Sequence, residues 1–155
     1  MKLSKFIAAA VIGTSCMTLY SYIIAKKEKQ KFLEPQLLNE LMDESDNLPD
    51  TDEPKTHPAG WAAHYGVGLL FIAAYYILWK RSLHAPGIAK GLAIGAASGV
   101  LAIISWEIMF KASNNPPQND RYGYYKQLFV AHLIFSVAAL YGYKLPDYIK
   151  QIANR

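Results

Sequence analysis

The chain has 155 residues, enough for one domain, with 52% apolar residues and a formal net charge of +4. A single cysteine, Cys16, excludes an internal disulfide and a multi-thiolate metal site. Most of the sixteen Lys and Arg residues sit near the ends of apolar blocks, so membrane flanking is a better reading than nucleic-acid binding, and no nucleic-acid partner is expected.

Acids are segregated too: nine of the twelve fall between Glu28 and Glu53. What remains contains four apolar blocks of about 20 residues, the length a helix needs to cross ~30 Å of hydrocarbon. None has the polar face that a soluble bundle helix requires. The pattern predicts an all-α fold, a four-transmembrane-helix antiparallel bundle forming a single membrane domain, with the lipid bilayer as its surroundings.

The first block covers residues 6–25, between Lys5 and Lys26. Its beginning, "MKLSKFIAAAVIGTSC", resembles a lipoprotein signal ending at Cys16. Gly13 stands where such signals carry leucine, and "MTLYSYIIA" continues the apolar run, so a retained span is the preferred reading. An acidic extramembrane segment, residues 26–58, follows. Within it "PQLLNELMDES" places Leu37, Leu38, Leu41 and Met42 on one side of a short helix with Pro35 in its first turn. That helix can lie on the membrane or cover the end of the bundle; an unstructured linker is the alternative. "DNLPDTDEPKTHP" reads as extended and mobile.

The second block, 61–79, has a tryptophan at each end, and "KRSLHAPGIAK" leads to the third, 91–110. Here Gly87, Gly91, Gly95 and Gly99 recur every fourth residue and predict a face for close helix packing, or for self-association. Ala62, Gly66 and Gly68 in the second block, and Ala9 and Gly13 in the first, are the matching small residues. "KASNNPPQNDRYG" leads to the fourth block, 124–143. Counts of Lys and Arg on the two sides tie. The short, acid-free second connection breaks the tie and places both termini in the cytoplasm.

Alternating spans bring His64, Glu107 and His132 to one half of the membrane, together with Tyr20 near the end of the first span. By helical rise, His64 and Glu107 lie ~5 Å inside their span ends and His132 ~12 Å inside. Ionisable groups in hydrocarbon are costly and usually face one another or a cavity. A His–Glu–His group can relay protons, hold a divalent ion, or bind a polar head group. The bland readings stand beside these: Glu107 paired with Lys111 one turn on, His64 in the aromatic belt, His132 bonded to a neighbouring hydroxyl. The ~7 Å difference in depth disfavours a bis-histidine haem, and no metal or cofactor is predicted. No GxSxG, HExxH, P-loop or dinucleotide fingerprint is present.

Four stretches, "HYGVGLLFIAAYYILW", "GLAIGAASG", "NNPPQNDRYGYY" and "LFVAHLIFS", carry a resemblance. Together they resemble the YagU-like group of small bacterial inner-membrane proteins, over residues 64–143. The resemblance implies that location and no assigned reaction. It carries over His64, Gly91, Gly95, Pro116, Pro117 and His132, whereas Glu107 matches none of its elements.

Two functions follow as expectations. One is a non-enzymatic structural or binding component, meeting lipid, a second copy or a larger membrane complex through the glycine face and interfacial aromatics. The other is a small proton-coupled transporter or ligand-binding protein using His64, Glu107 and His132.

Overall fold

A computed structural model describes residues 3–44 and 56–154. The described residues form six helices and no strand: α1 (Leu3–Glu28), α2 (Glu34–Asp43), α3 (Pro58–Leu78), α4 (Lys80–His84), α5 (Ile88–Ala112) and α6 (Arg121–Ala153). Helices α1, α3, α5 and α6 are long and apolar enough to cross a membrane. Their outer surfaces carry Ile7, Val11, Leu70, Ile77, Leu101 and Ile108, all exposed. Apolar side chains facing outward suit a bilayer, where every backbone group must be satisfied within the helices. The expected all-α four-helix bundle is what forms.

Pair contacts fix the directions. Along α1 and α6, Lys5 meets Asp147, Gly13 meets Ala139 and Ser21 meets Gln127, so the two run antiparallel. Thr14 meets Gly68 and Thr18 meets His64, which sets α3 antiparallel to α1. Gly91 meets Val137 and Gly99 meets Phe129, which does the same for α5 and α6. The bundle is a chain of neighbours: α3 packs on α1, α1 on α6, and α6 on α5. Among the described residues, α3 and α5 share no extended backbone packing.

The glycine face is used inside the molecule. A Cβ on Gly95 would lie 2.7 Å from the Cα of Leu133 and 2.8 Å from the carbonyl oxygen of His132. One on Gly91 would lie 2.9 Å from the Cα of Val137. Glycine at these positions lets two backbones touch, as small residues do in membrane bundles. One expectation changes. Gly87 precedes α5 as its N-cap and has only the Lys90 side chain near it, so it is no packing position. Gly91, Gly95 and Gly99 do form the expected face for close packing, and α6 covers it.

Helix α2 covers the bundle end. Pro35 sits in its first turn, where no intrahelical donor is lost. Leu37 is fully buried in a cluster with Phe32, Trp106, Phe110, Tyr124 and Leu128, and Leu38 and Leu41 pack against that cluster. Asn39 ties α2 to the start of α3: its Oδ1 accepts from Gly60 N at 2.7 Å and its Nδ2 donates to His57 O at 2.9 Å. The acidic stretch 45–55, read above as extended and mobile, lies outside the described residues.

On the same end, Asn119 donates to Lys31 O at 2.9 Å, and Asp120 caps α6 by accepting from Gly123 N. At the opposite end α6 does not stop at Lys144 but continues through Pro146 to Ala153. There Asp147 pairs with Lys5 and Lys144. The start of α1 and the end of α6 therefore lie on one side. A second core, built on Phe6, Ile72, Tyr75, Ala131, Phe135 and Leu140, fills that half.

Candidate functional site

Where the two cores meet, the helices leave a cavity of about 230 Å³. Its walls follow helical periodicity. Helix α3 presents His64, Val67, Gly68 and Phe71, and α5 presents Ala102, Ser105, Trp106 and Met109. Both sets have the i, i+3, i+4, i+7 spacing of one helix face. Leu128, His132 and Phe135 of α6 and Thr14 and Met17 of α1 form the back. Glu34 and Leu38 of α2 close one end.

His64 and His132, both expected site residues, thus line one cavity, and they are 7% and 5% exposed. Hydrogen counting sets their tautomers. His132 Nδ1 lies 2.9 Å from Leu128 O; a carbonyl only accepts, so Nδ1 carries the proton and Nε2 is a bare acceptor. Thr18 donates its one hydroxyl proton to Thr14 O at 2.7 Å. His64 Nε2, 2.9 Å from the same oxygen, must then donate to it, which leaves Nδ1 of His64 as the acceptor.

Glu107 does not join them. It is one position past Trp106, so the ~100° turn per residue carries it off the inward stripe of α5. Its side chain is 42% exposed, pairs with Lys111 at 2.9 Å and accepts from Tyr125. Tyr20 is also outside the lining; it is half-buried against the core cluster of Phe6, Tyr75 and Phe135. The expected cluster of two histidines with Glu107 is therefore corrected: two histidines share the cavity, and its carboxylate is another.

That carboxylate is Glu34, 1% exposed at the first position of α2. Ser21 donates to its Oε1 at 2.8 Å and Gln127 Nε2 approaches the same oxygen at 3.3 Å. Burial pushes its carboxyl up to about 7, against the smaller lowering effects of its backbone, Ser21 and Gln127 hydrogen bonds. Sequence reasoning missed it because an acid in an acidic connection is solvated by default. The signal available was local: an acid directly before a proline that opens an amphipathic turn.

The helices also explain Gly68. A Cβ there would lie 2.2 Å from Thr14 Oγ1, so its absence makes room for that hydroxyl. Thr14 Oγ1 is buried and has no hydrogen-bond partner among the described residues. At the far end Phe71 and Phe135 line the cavity and pack on Tyr75, whose hydroxyl bonds Ser98 Oγ at 2.8 Å and Ser136 Oγ at 2.5 Å.

Compared with known protein families, curated proteins and solved structures, the chain matches none. The site must be read from its own chemistry. Among the described residues, no group of three His, Cys, Asp or Glu side chains is placed to hold a metal ion. Ser105 is exposed and donates its hydroxyl proton back to Leu101 O at 2.9 Å, not to a base. Cys16 is exposed on α1 and does not line the cavity. What the arrangement offers is an apolar, aromatic enclosure with a few buried polar groups, the usual make-up of a binding pocket.

Proposed function

We propose that this chain is a non-enzymatic binding protein of the bacterial inner membrane, with both termini in the cytoplasm, that holds a small and mainly apolar molecule between its helices. The YagU-like resemblance and the basic second connection support the location and the orientation. One observation carries the binding reading: inward stripes from all four long helices, plus α2, converge on one cavity that contains two buried histidines. An assembly role through the glycine face loses its support, because α6 occupies that face.

Trp106 lines the cavity and can report on it. With Trp61→Phe and Trp79→Phe in place it is the sole tryptophan. Bromobenzene, a contact quencher, is expected to quench it saturably, and Ala102→Phe, which fills the cavity, is expected to abolish the saturable part. Quenching that rises linearly with concentration in both proteins would overturn the reading.

Glu34 favours a second reading, proton-coupled transport, because its carboxyl titrates near neutrality in the wall of a cavity that two imidazoles also line. That reading requires a pH-driven flux in proteoliposomes that is lost in His132→Ala. Absence of flux under every gradient removes it.

A further inference from the structure

We infer that the cavity takes the head group of a neutral phenolic amphiphile, which enters sideways from the bilayer between α3 and α5. The inference rests on the cavity being a binding site and adds what it binds and how the ligand arrives.

Access comes first. The cavity is closed toward the water by Glu34 and Leu38 of α2, and toward the opposite half by Phe71 and Phe135, which pack on Tyr75 behind them. Its remaining side lies between α3 and α5, the two ends of the row α3, α1, α6, α5, which share no extended backbone packing with each other. Val67 and Ser105 line the cavity from those helices and are both exposed, Val67 at 45%. By helical rise they lie roughly 7–9 Å inside Trp61 and Phe110, at hydrocarbon depth. The mouth therefore opens onto acyl chains.

Size and charge narrow the occupant. A dry apolar cavity of ~150 Å³ already binds benzene, and this one is about 230 Å³. A substituted six-membered ring fits, with Phe71, Trp106 and Phe135 beside it for edge-to-face contact. No Lys or Arg lines the cavity, so a carboxylate or phosphate finds no counter-charge. A cation would pay the cost of crossing hydrocarbon to reach a lateral mouth. A neutral molecule remains.

Polar chemistry selects the hydroxyl. His132 Nε2 is an acceptor without a partner among the described residues, in a side chain 5% exposed. Thr14 Oγ1, 1% exposed, is a donor without one. A phenolic O–H can donate to the imidazole, which an unsubstituted ring cannot do, and a small shift of Thr14 Oγ1, now sealed against Gly68, lets the phenol oxygen accept from it as well.

The test compares 4-bromophenol with bromobenzene, which differ by that hydroxyl alone. Both are titrated against the single-tryptophan protein in lipid nanodiscs at pH 6.5, with partitioning corrected from protein-free discs. Bromophenol is expected to bind about tenfold more tightly, the effect of one or two net hydrogen bonds. His132→Phe is expected to erase that preference while bromobenzene still binds. Thr14→Val, close in shape, is expected to reduce it and guards against a misfolded histidine variant. Val67→Phe, at the mouth, is expected to slow association of both quenchers.

Equal binding of the two quenchers to the wild type overturns the phenolic assignment and leaves a generic apolar site. A preference that survives both His132→Phe and Thr14→Val overturns the assigned partners. Unchanged association rates in Val67→Phe overturn lateral entry. If neither quencher saturates, the binding reading itself has failed.

Discussion

Ser21, inside α1, donates its hydroxyl to Glu34, the first residue of α2, at 2.8 Å. A helix outside the spans is thereby fastened to one within them, through a carboxyl whose burial holds it at about 7. The sign of the pH dependence follows. The unfolded carboxyl titrates near its ordinary value of 4.5, so between about 4.5 and 7 the folded form binds a proton that the unfolded form has released. Stability contributed by this group is therefore full at low pH, declines as pH rises through that window, and levels off above it. The total is roughly 3 kcal/mol. Glu34→Gln should remove this slope and be the more stable protein at pH 8. Other groups titrate as well, so the quantity to measure is the difference between the two proteins in denaturant unfolding at pH 5 and pH 8. A difference that does not change with pH would reject the buried-carboxyl account.

Two glycines give opposite expectations. At Gly95 an added Cβ meets backbone atoms of α6 at 2.7 and 2.8 Å, so α5 and α6 must move apart. Gly95→Ala should destabilise by about 1–3 kcal/mol, the usual cost of overpacking. At Gly66 nothing lies within 4 Å of the added atom. Gly66→Ala should be neutral or stabilising by up to ~1 kcal/mol through helix propensity. Thermal melts in detergent compare the two, and equal effects would mean that the α5–α6 approach is not tight.

These residues also show how far the sequence could be read. Block length and the absence of any polar face announced four spans, and the repeat of four announced a close approach at Gly91, Gly95 and Gly99. Depth along each helix was readable from rise, so His64 and His132 were placed in one half of the membrane. Azimuth was not. Glu107 has the right depth and the wrong direction, and only the partners chosen by its neighbours, Trp106 inward and Lys111 outward, settle that. Glu34 was hidden for another reason. Its environment is created when α2 folds back on the bundle, and no local pattern records where a connecting segment will dock.

The Tyr75 hydroxyl lies between two serines on different helices. One proton assignment satisfies every donor: Ser136 donates to Tyr75, Tyr75 to Ser98, and Ser98 to Ile94 O at 2.9 Å. Tyr75→Phe breaks this relay in the middle and leaves Ser136 only a 3.4 Å approach to Ser98. The cost should be about 1 kcal/mol, as for hydrogen bonds between helices in membranes. Adding Ser136→Ala should recover part of it, since the orphaned hydroxyl is then gone. Unfolding of the single and double variants checks this; a double variant that is worse by the full sum would show that the serine has another role.

Two carboxylates separate the site from its surroundings. Glu107 is held below the bundle surface by nothing: it accepts from Tyr125 on α6 and pairs with Lys111 one turn along α5, facing out. Exposed pairs of this kind contribute little, because solvent already stabilises both charges. Glu34 and the histidines instead border the cavity. Glu107→Gln should therefore leave quenching of Trp106 unchanged in both affinity and rate, although Glu107 is the next residue in the chain. Glu34→Leu, which puts an apolar branch at the closed end, should alter both. If Glu107→Gln abolished binding while Glu34→Leu did not, the cavity between α3 and α5 would be the wrong place to look for the site.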